Sequence, residues 1–334
     1  MGGKKAVGAG VAFVPLAPIH AAAVTALWNG EWRETFPMRE RIVAQNCFED
    51  ANVVADGSWL AVDETSGEAV GFVVAKRWQD GTPGVSFDGR DGWIHALLVR
   101  GDRRGAGIGG ELLRRGEEAL RACGVSRIHL GGDFHWRMFP GVPEQCAAAA
   151  AWFERRGYSG GEPRVDLARD YGAAAEATPL PQPAAGARFR IAQPADRERL
   201  AAFLQRCFPG RWAYQTIQYW DRGGNGREFV LCEEGGELVG FCRINDGESP
   251  IYAQNVYWAP LFAGELGGIG PLGIDDACRG KGYGLAIVQA AIHFLRGRGA
   301  DSIVIDTTGI PDFYRKLGYE VYRSYTPYSK ELAG

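Results

Sequence analysis

Arginine and glycine recur in one spacing at two places in the chain, as Arg104, Gly107 and Gly109 within RRGAGIGG and as Arg279, Gly282 and Gly284 within RGKGYG. Glycine lets backbone N–H groups turn toward a ligand, and the N-terminus of a following helix adds the positive end of its dipole, so R-x-x-G-x-G before a helical pattern suits an anion, a pyrophosphate in particular. One such loop is more often only a turn; two in the same context argue for binding. Gly105, Gly107 and Gly110 also satisfy G-x-G-x-x-G. A dinucleotide fold starts that motif at the end of its first strand and places an acid on the next. Here Arg100 to Arg104 intervene after Val99, and Leu285 stands where the second loop needs its last glycine. No G-x-x-x-x-G-K-[ST] run is present.

The elements that must position these loops come in the same order twice. Gly172 to Ala187, GAAAEATPLPQPAAGA, has no apolar period and three prolines, as a linker does. It divides the chain into domains at 1–171 and 188–334. Each half opens on a short alternating run and a helical pattern, followed by a hairpin signal, SWLAVDETSGEAVGFVVAKRW from Ser58 or FVLCEEGGELVGFCRI from Phe229. A third strand follows, Ile94 to Val99 or Ile269 to Ile274, then the glycine loop and a long helix. Another strand and a helix ending in WFERRGY (Trp152 to Tyr158) or FYRKLGY (Phe313 to Tyr319) complete each half. The fold class expected is α/β in the mixed α+β sense, as two tandem copies of one domain.

At 334 residues the chain exceeds what one core usually fills, in line with two domains. Thirty-seven basic and 40 acidic residues give a net charge of −3 without a basic block, which argues against a nucleic-acid partner. No apolar run approaches the ~18 residues of a membrane span. The start of the chain lacks the apolar core of a signal peptide, so a cytoplasmic location is expected. The seven cysteines form no C-x-x-C pair and suit buried thiols in a reducing compartment better than a metal site or disulfides.

Hairpin, strand, R-x-x-G-x-G, helix, strand, helix and F-Y-x-x-x-G-Y together resemble the GCN5-related N-acetyltransferase (GNAT) superfamily in a tandem form, over almost the whole chain. The resemblance implies a twisted mixed sheet in each domain, with acetyl-CoA as acyl donor in a gap between splayed strands, and no metal. Carried over, the donor contacts in the first copy are Leu98, Val99, Arg104, Gly105, Ala106, Gly107, Ile108, Gly109 and Gly110. In the second they are Gly273, Ile274, Arg279, Gly280, Lys281, Gly282, Tyr283 and Gly284.

The resemblance also implies an acyltransferase acting by direct attack of a primary amine, on a small molecule or peptide, upon the thioester. An ammonium near pKa 10.4 costs about 4–5 kcal/mol to deprotonate at pH 7, and the leaving thiolate benefits from a proton donor. Tyr314 in FYRKLGY matches the family's acid, whereas Phe153 stands there in the first half. The first half offers His95 in WIHALLVRGDRR, which resembles a strand whose histidine serves some relatives as the base or in its water chain, and strand alternation puts Trp93 on the same face. The second half has Gly270 there, and its nearby acids Glu265 and Asp306 match no catalytic motif. The second domain is favoured as the catalyst. His135, Trp136, Phe139 and Pro140 suit either an acceptor wall or loop packing. A monomer or homodimer is expected. A regulatory acyl-CoA-binding protein and a nucleotide-dependent oxidoreductase are the alternative classes.

Overall fold

The computed structural model describes residues 10–172, 178–183 and 186–332; positions 173–177 and 184–185 of the proline-bearing stretch lie outside the described residues. In the first half, strands β1 (Val11–Pro15), β2 (Trp59–Asp63), β3 (Ala69–Arg77), β4 (Asp91–Val99), β5 (Arg127–Leu130), β6 (Val142–Pro143) and β7 (Ser159–Gly160) accompany helices α1 (Ala21–Trp32), α2 (Glu40–Cys47), α3 (Ile108–Ala122) and α4 (Ala147–Glu154). The first half ends on β8 (Arg164–Asp170), and the second half supplies β9 (Arg188–Ile191), β10 (Phe229–Glu234), β11 (Glu237–Asn245), β12 (Leu266–Ile274), β13 (Ser302–Thr308), β14 (Glu320–Thr326) and β15 (Tyr328–Glu331). Its helices are α5 (Arg197–Cys207), α6 (Arg211–Asp221), α7 (Tyr283–Gly297) and α8 (Pro311–Arg315).

The chain forms two compact units. The first comprises residues 1–80, 87–164 and 325–334; the second comprises 81–86 and 165–324. In the first, the sheet runs β1-β2-β3-β4-β5-β15-β7; in the second, the order β14-β8-β13-β12-β11-β10-β9 recurs. β15, from the end of the chain, pairs antiparallel with β5, from Tyr328 opposite Leu130 to Glu331 opposite Arg127. β8, the strand that ends the first half, pairs antiparallel with β13. Each unit is thus completed by a strand from the other half of the sequence.

Both cores follow from patterning. In α3, Ile108, Leu112, Leu113, Gly116 and Leu120 recur at helical spacing and are buried. Gly116 lets the helix approach β4, since a Cβ there would lie 3.0 Å from the Ile94 side chain. In α7, Tyr283, Ile287, Ala290, Ala291 and Leu295 do the same against Cys242, Ile244 and Ile269. All seven cysteines are free thiols; Cys47, Cys232 and Cys242 are buried, but Cys123 is exposed.

The first unit also encloses a charge. Lys76, near the end of β3, is 1% exposed, with Nζ 2.9 Å from Asp50 and 3.4 Å from Asp133. The carbonyl of His135 accepts from the same ammonium at 3.2 Å, so a segment beyond α2 and the segment beyond β5 are both tied to β3. Burial opposes ionisation of Asp133, but Lys76 and His95 beside it hold its carboxyl down to about 2. Because that value lies below the unfolded one near 3.9, the stabilisation is complete above pH ~4 and disappears as pH falls toward 2. Lys76→Met leaves two buried carboxylates without their cation and should destabilise the first unit by about 3–5 kcal/mol, measured by hydrogen exchange of β3 and β5 amides. The same measurement on the unaltered protein should show protection falling between pH 4 and 2.

Candidate active site

In each unit two parallel strands pair and then part. β4 and β5 pair from Asp91 opposite Arg127 to Ile94 opposite Leu130, after which β4 runs on to Val99. β12 and β13 pair from Leu266 opposite Ser302 to Ile269 opposite Ile305, and β12 runs on to Ile274. The glycine loops follow directly. Gly105 and Gly107 have φ of +80° and +87°, and Gly280 and Gly282 have +80° and +81°, the left-handed region that favours glycine. Arg104 to Gly107 and Arg279 to Gly282 are exposed, whereas Ile108 and Tyr283, the first residues of α3 and α7, are buried. Ala106, Gly109, Gly110 and Gly284 complete the loops and first turns, so both copies present backbone at a helix N-terminus, as the spacing predicts.

The arginines and lysine of the loops have protein partners. Arg104 donates from Nε to the Val99 carbonyl at 3.0 Å and pairs with Glu31. Arg279 pairs with Asp276 at 2.6 Å, and Lys281 with Glu234 at 2.8 Å. The Tyr283 hydroxyl donates to the same Glu234 at 2.7 Å. Leu98 and Val99 sit on β4 beyond the parting point, as Gly273 and Ile274 do on β12. Gly273 is matched to an aromatic ring: a Cβ there would lie 2.4 Å from Phe208.

In the first unit the parting strands open a cleft of about 620 Å³, its open mouth included, walled by Ile94 to Leu98, Leu130, Trp28, Phe139, Cys146 and Phe153. His95 lies on this wall with its side chain wholly buried, and Nδ1 is 2.8 Å from Asp133 Oδ2. Asp133 is ionised and can only accept, so Nδ1 carries the proton and Nε2 keeps a lone pair. Nε2 is buried and has no hydrogen-bond partner. Burial, then the charge on Lys76, lowers the imidazole pKa, which keeps the ring neutral. Trp93 departs from expectation: it stacks on His129 at 5.6 Å and meets Phe134 edge-on instead of sharing the cleft wall. Phe139 forms wall, whereas His135 stacks on Trp136 at 4.1 Å around the Lys76 ammonium.

The second unit fills the corresponding space with other chemistry. Gly270, the counterpart of His95, has φ +133°, and a Cβ there would lie 2.8 Å from Asp306 Oδ1. Glycine therefore makes room for the carboxylate on β13, which Asn255 Nδ2 holds at 2.9 Å. Tyr314 in α8 is buried, with its ring edge-on to Phe313 at 4.9 Å. Burial, then Cys242 and Asp306 nearby, push its pKa above the ordinary phenol value, so the hydroxyl stays protonated at neutral pH. The Asp306 carboxylate thus lies within electrostatic reach of a proton donor.

Sequence reasoning singled out His95 and Tyr314 and named Asp306 as a nearby acid without a role, but missed Asp133. Asp133 is 38 residues from His95, and no local spacing signals the pair. Gly270 at the position of His95 is the signal that could have given Asp306 its place, since a Cβ there would meet the carboxylate. Among the described residues no group of three or more His, Cys, Asp or Glu could hold a metal, and no helix is long and apolar enough to cross a membrane.

Comparison with known proteins agrees with this geometry. The model of the acetyltransferase (GNAT) family matches residues 21–138 and again 197–319. A curated mycothiol acetyltransferase of Mycolicibacterium vanbaalenii is 26% identical over 341 residues, covering 90% of this chain and 97% of the relative. Among solved structures, a GCN5-related glucosamine N-acetyltransferase region of a fungal multi-domain GH3 β-N-acetylglucosaminidase superposes with TM-score 0.81 at 26% identity; the match covers 96% of this chain but only 38% of that longer one. A GCN5-related N-acetyltransferase from Sphaerobacter thermophilus superposes with TM-score 0.69 at 19% identity over 97% and 96% of the two chains. Two domain matches, one on each glycine loop and its parting strands, establish that the chain belongs to the acetyltransferase (GNAT) family, as a tandem-domain acyltransferase.

Proposed function

We propose that the protein is an acetyl-CoA-dependent N-acetyltransferase for a small-molecule primary amine, and that the second unit performs the transfer. The observation that carries this is that Asp306, one residue past the last pair of β12 with β13, lies within electrostatic reach of the buried Tyr314 hydroxyl. The names of the M. vanbaalenii relative and of the fungal region support a small-molecule acceptor over a peptide.

The backbone of Arg279 to Gly284 receives the donor's pyrophosphate, and the edge of β12 from Gly270 to Ile274 bonds its amide-bearing arm. Asp306 accepts a proton from the acceptor's ammonium, directly or through water. The amine nitrogen then attacks the thioester carbon, the C–S bond breaks as the C–N bond forms, and Tyr314 protonates the departing thiolate. The proton that the nitrogen sheds as the amide forms passes to the Tyr314 phenolate, and Asp306 releases the ammonium's proton to solvent, so that bonds and charge balance.

A second reading has its own observation: the unpartnered Nε2 of His95 on the first cleft, which is the base form of an imidazole. Substitutions separate the two. Tyr314→Phe and Asp306→Asn should each lower kcat by roughly 10²–10⁴-fold, with His95→Gln much closer to the unaltered rate; the reverse pattern assigns turnover to the first unit.

Calorimetry addresses the loops. A valine at Gly282 or Gly107 must take a left-handed φ, so each substitution should abolish one acetyl-CoA site and leave the other. A stoichiometry of two falling to one in either variant means that both loops bind; a single site lost only in Gly282→Val confines donor binding to the second unit.

A further inference from the structure

The second unit contains a buried cation that the chemistry above leaves unused. Arg243 lies on β11 where pairing with β12 shifts register between Cys242 and Ile244. Those two neighbours point into the core, which leaves Arg243 and Asn245 on the opposite face. Arg243 is 6% exposed, and its Nε and Nη2 are buried with no hydrogen-bond partner. The carboxylates around it are engaged elsewhere. Glu228 accepts from the Tyr219 hydroxyl at 2.6 Å and from Arg227 at 3.0 Å, while Asp246 takes Arg227 at 2.8 Å and Arg298 at 3.2 Å. Glu228 is the carboxylate that acts most strongly on Arg243, the Tyr219 ring lies 5.8 Å from its guanidinium, and Asp306, bonded to Asn255, acts on it as well, but none of these gives Nε or Nη2 an acceptor. Asn245 is fully buried, and its Oδ1 also lacks a donor.

An unpaired guanidinium withdrawn from water is costly, and such groups persist where an anion completes them. Its planar fork matches the two oxygens of a carboxylate or phosphate. We propose that Arg243 anchors an acidic group, carboxylate or phosphate, carried by the acceptor itself, whose amine then lies toward Asp306 and Tyr314. Asn245 Oδ1 takes a hydroxyl or N–H of the same molecule. A neutral amine would leave Nε and Nη2 without an acceptor, so amines that bear an acid are selected. The inference rests on the reading that the second unit performs the transfer.

Three measurements test it. Without ligand, Arg243→Met should keep or raise Tm, because it replaces an unpaired buried charge by apolar volume; a clear fall in Tm would make the residue structural and overturn the proposal. With coenzyme A saturating, so that the glycine loops are occupied, inorganic phosphate or succinate should raise the Tm of the unaltered protein but not of Arg243→Met. Whichever probe does so identifies the acid, and stabilisation by neither overturns the proposal. In turnover, glucosamine 6-phosphate against glucosamine, and alanine against alaninamide, are pairs differing in the acidic group. The acid-bearing member of one pair should be preferred on the order of 100-fold in kcat/KM, with Arg243→Lys keeping part of that preference and Arg243→Met none. Equal use of both members in both pairs refutes it. Failure of the underlying reading is separate: Tyr314→Phe would then leave the rate unchanged, whatever the anion probes show.

Discussion

The protein depends on two parallel strands being made to part. A sheet is stable because each strand edge finds another, and buried backbone groups left without partners are costly. In both units the pairing stops at one isoleucine of the longer strand, Ile94 or Ile269, while that strand continues for five more residues. The open edge leads straight to a glycine loop at a helix N-terminus. Anion-directed backbone and an unpaired strand edge are therefore one continuous surface, and the donor proposed above, with a pyrophosphate at one end and amides along its arm, would complete both.

What distinguishes the units is how each treats the polar groups around that surface. VGFVVAK in β3 aligns with VGFCRIN in β11, so Val74 stands for Arg243 and Lys76 for Asn245. The first unit buries a cation but neutralises it internally through Asp50 and Asp133, and Asp133 in turn fixes the His95 tautomer. The second buries a cation and leaves two of its nitrogens unpaired. A neutralised cation rigidifies a wall; an unpaired one invites a ligand. The same contrast holds at the parting point, where a histidine in one unit becomes glycine and a carboxylate in the other.

Local features were legible in the sequence because local physics dictates them. The glycine loops could be placed since φ near +80° at Gly105, Gly107, Gly280 and Gly282 has few alternatives to glycine. The hairpins and the long helices followed from periodicity. The exchange of β8 and β15 was not legible, because a strand of ordinary composition carries no mark of which sheet it will join. The His95–Asp133 and Asp306–Asn255 contacts were hidden for the same reason, spanning 38 and 51 residues of chain. Arg243 could have been noticed as an arginine in an otherwise apolar strand, but only the structure shows that the acids near it are already taken.

The exchanged strands bear on why both halves persist. β13 carries Asp306, and its outer edge is closed by β8, so the carboxylate's strand is held by residues that the first half of the sequence encodes. β5, whose end marks the first parting point, is closed by β15 from the end of the chain. Removal of either half strips a strand from the unit that remains and exposes an edge next to its cleft. The first half is thereby needed to complete the second unit's sheet whatever its own cleft does, which gives a reason for both halves to persist that is independent of where transfer takes place.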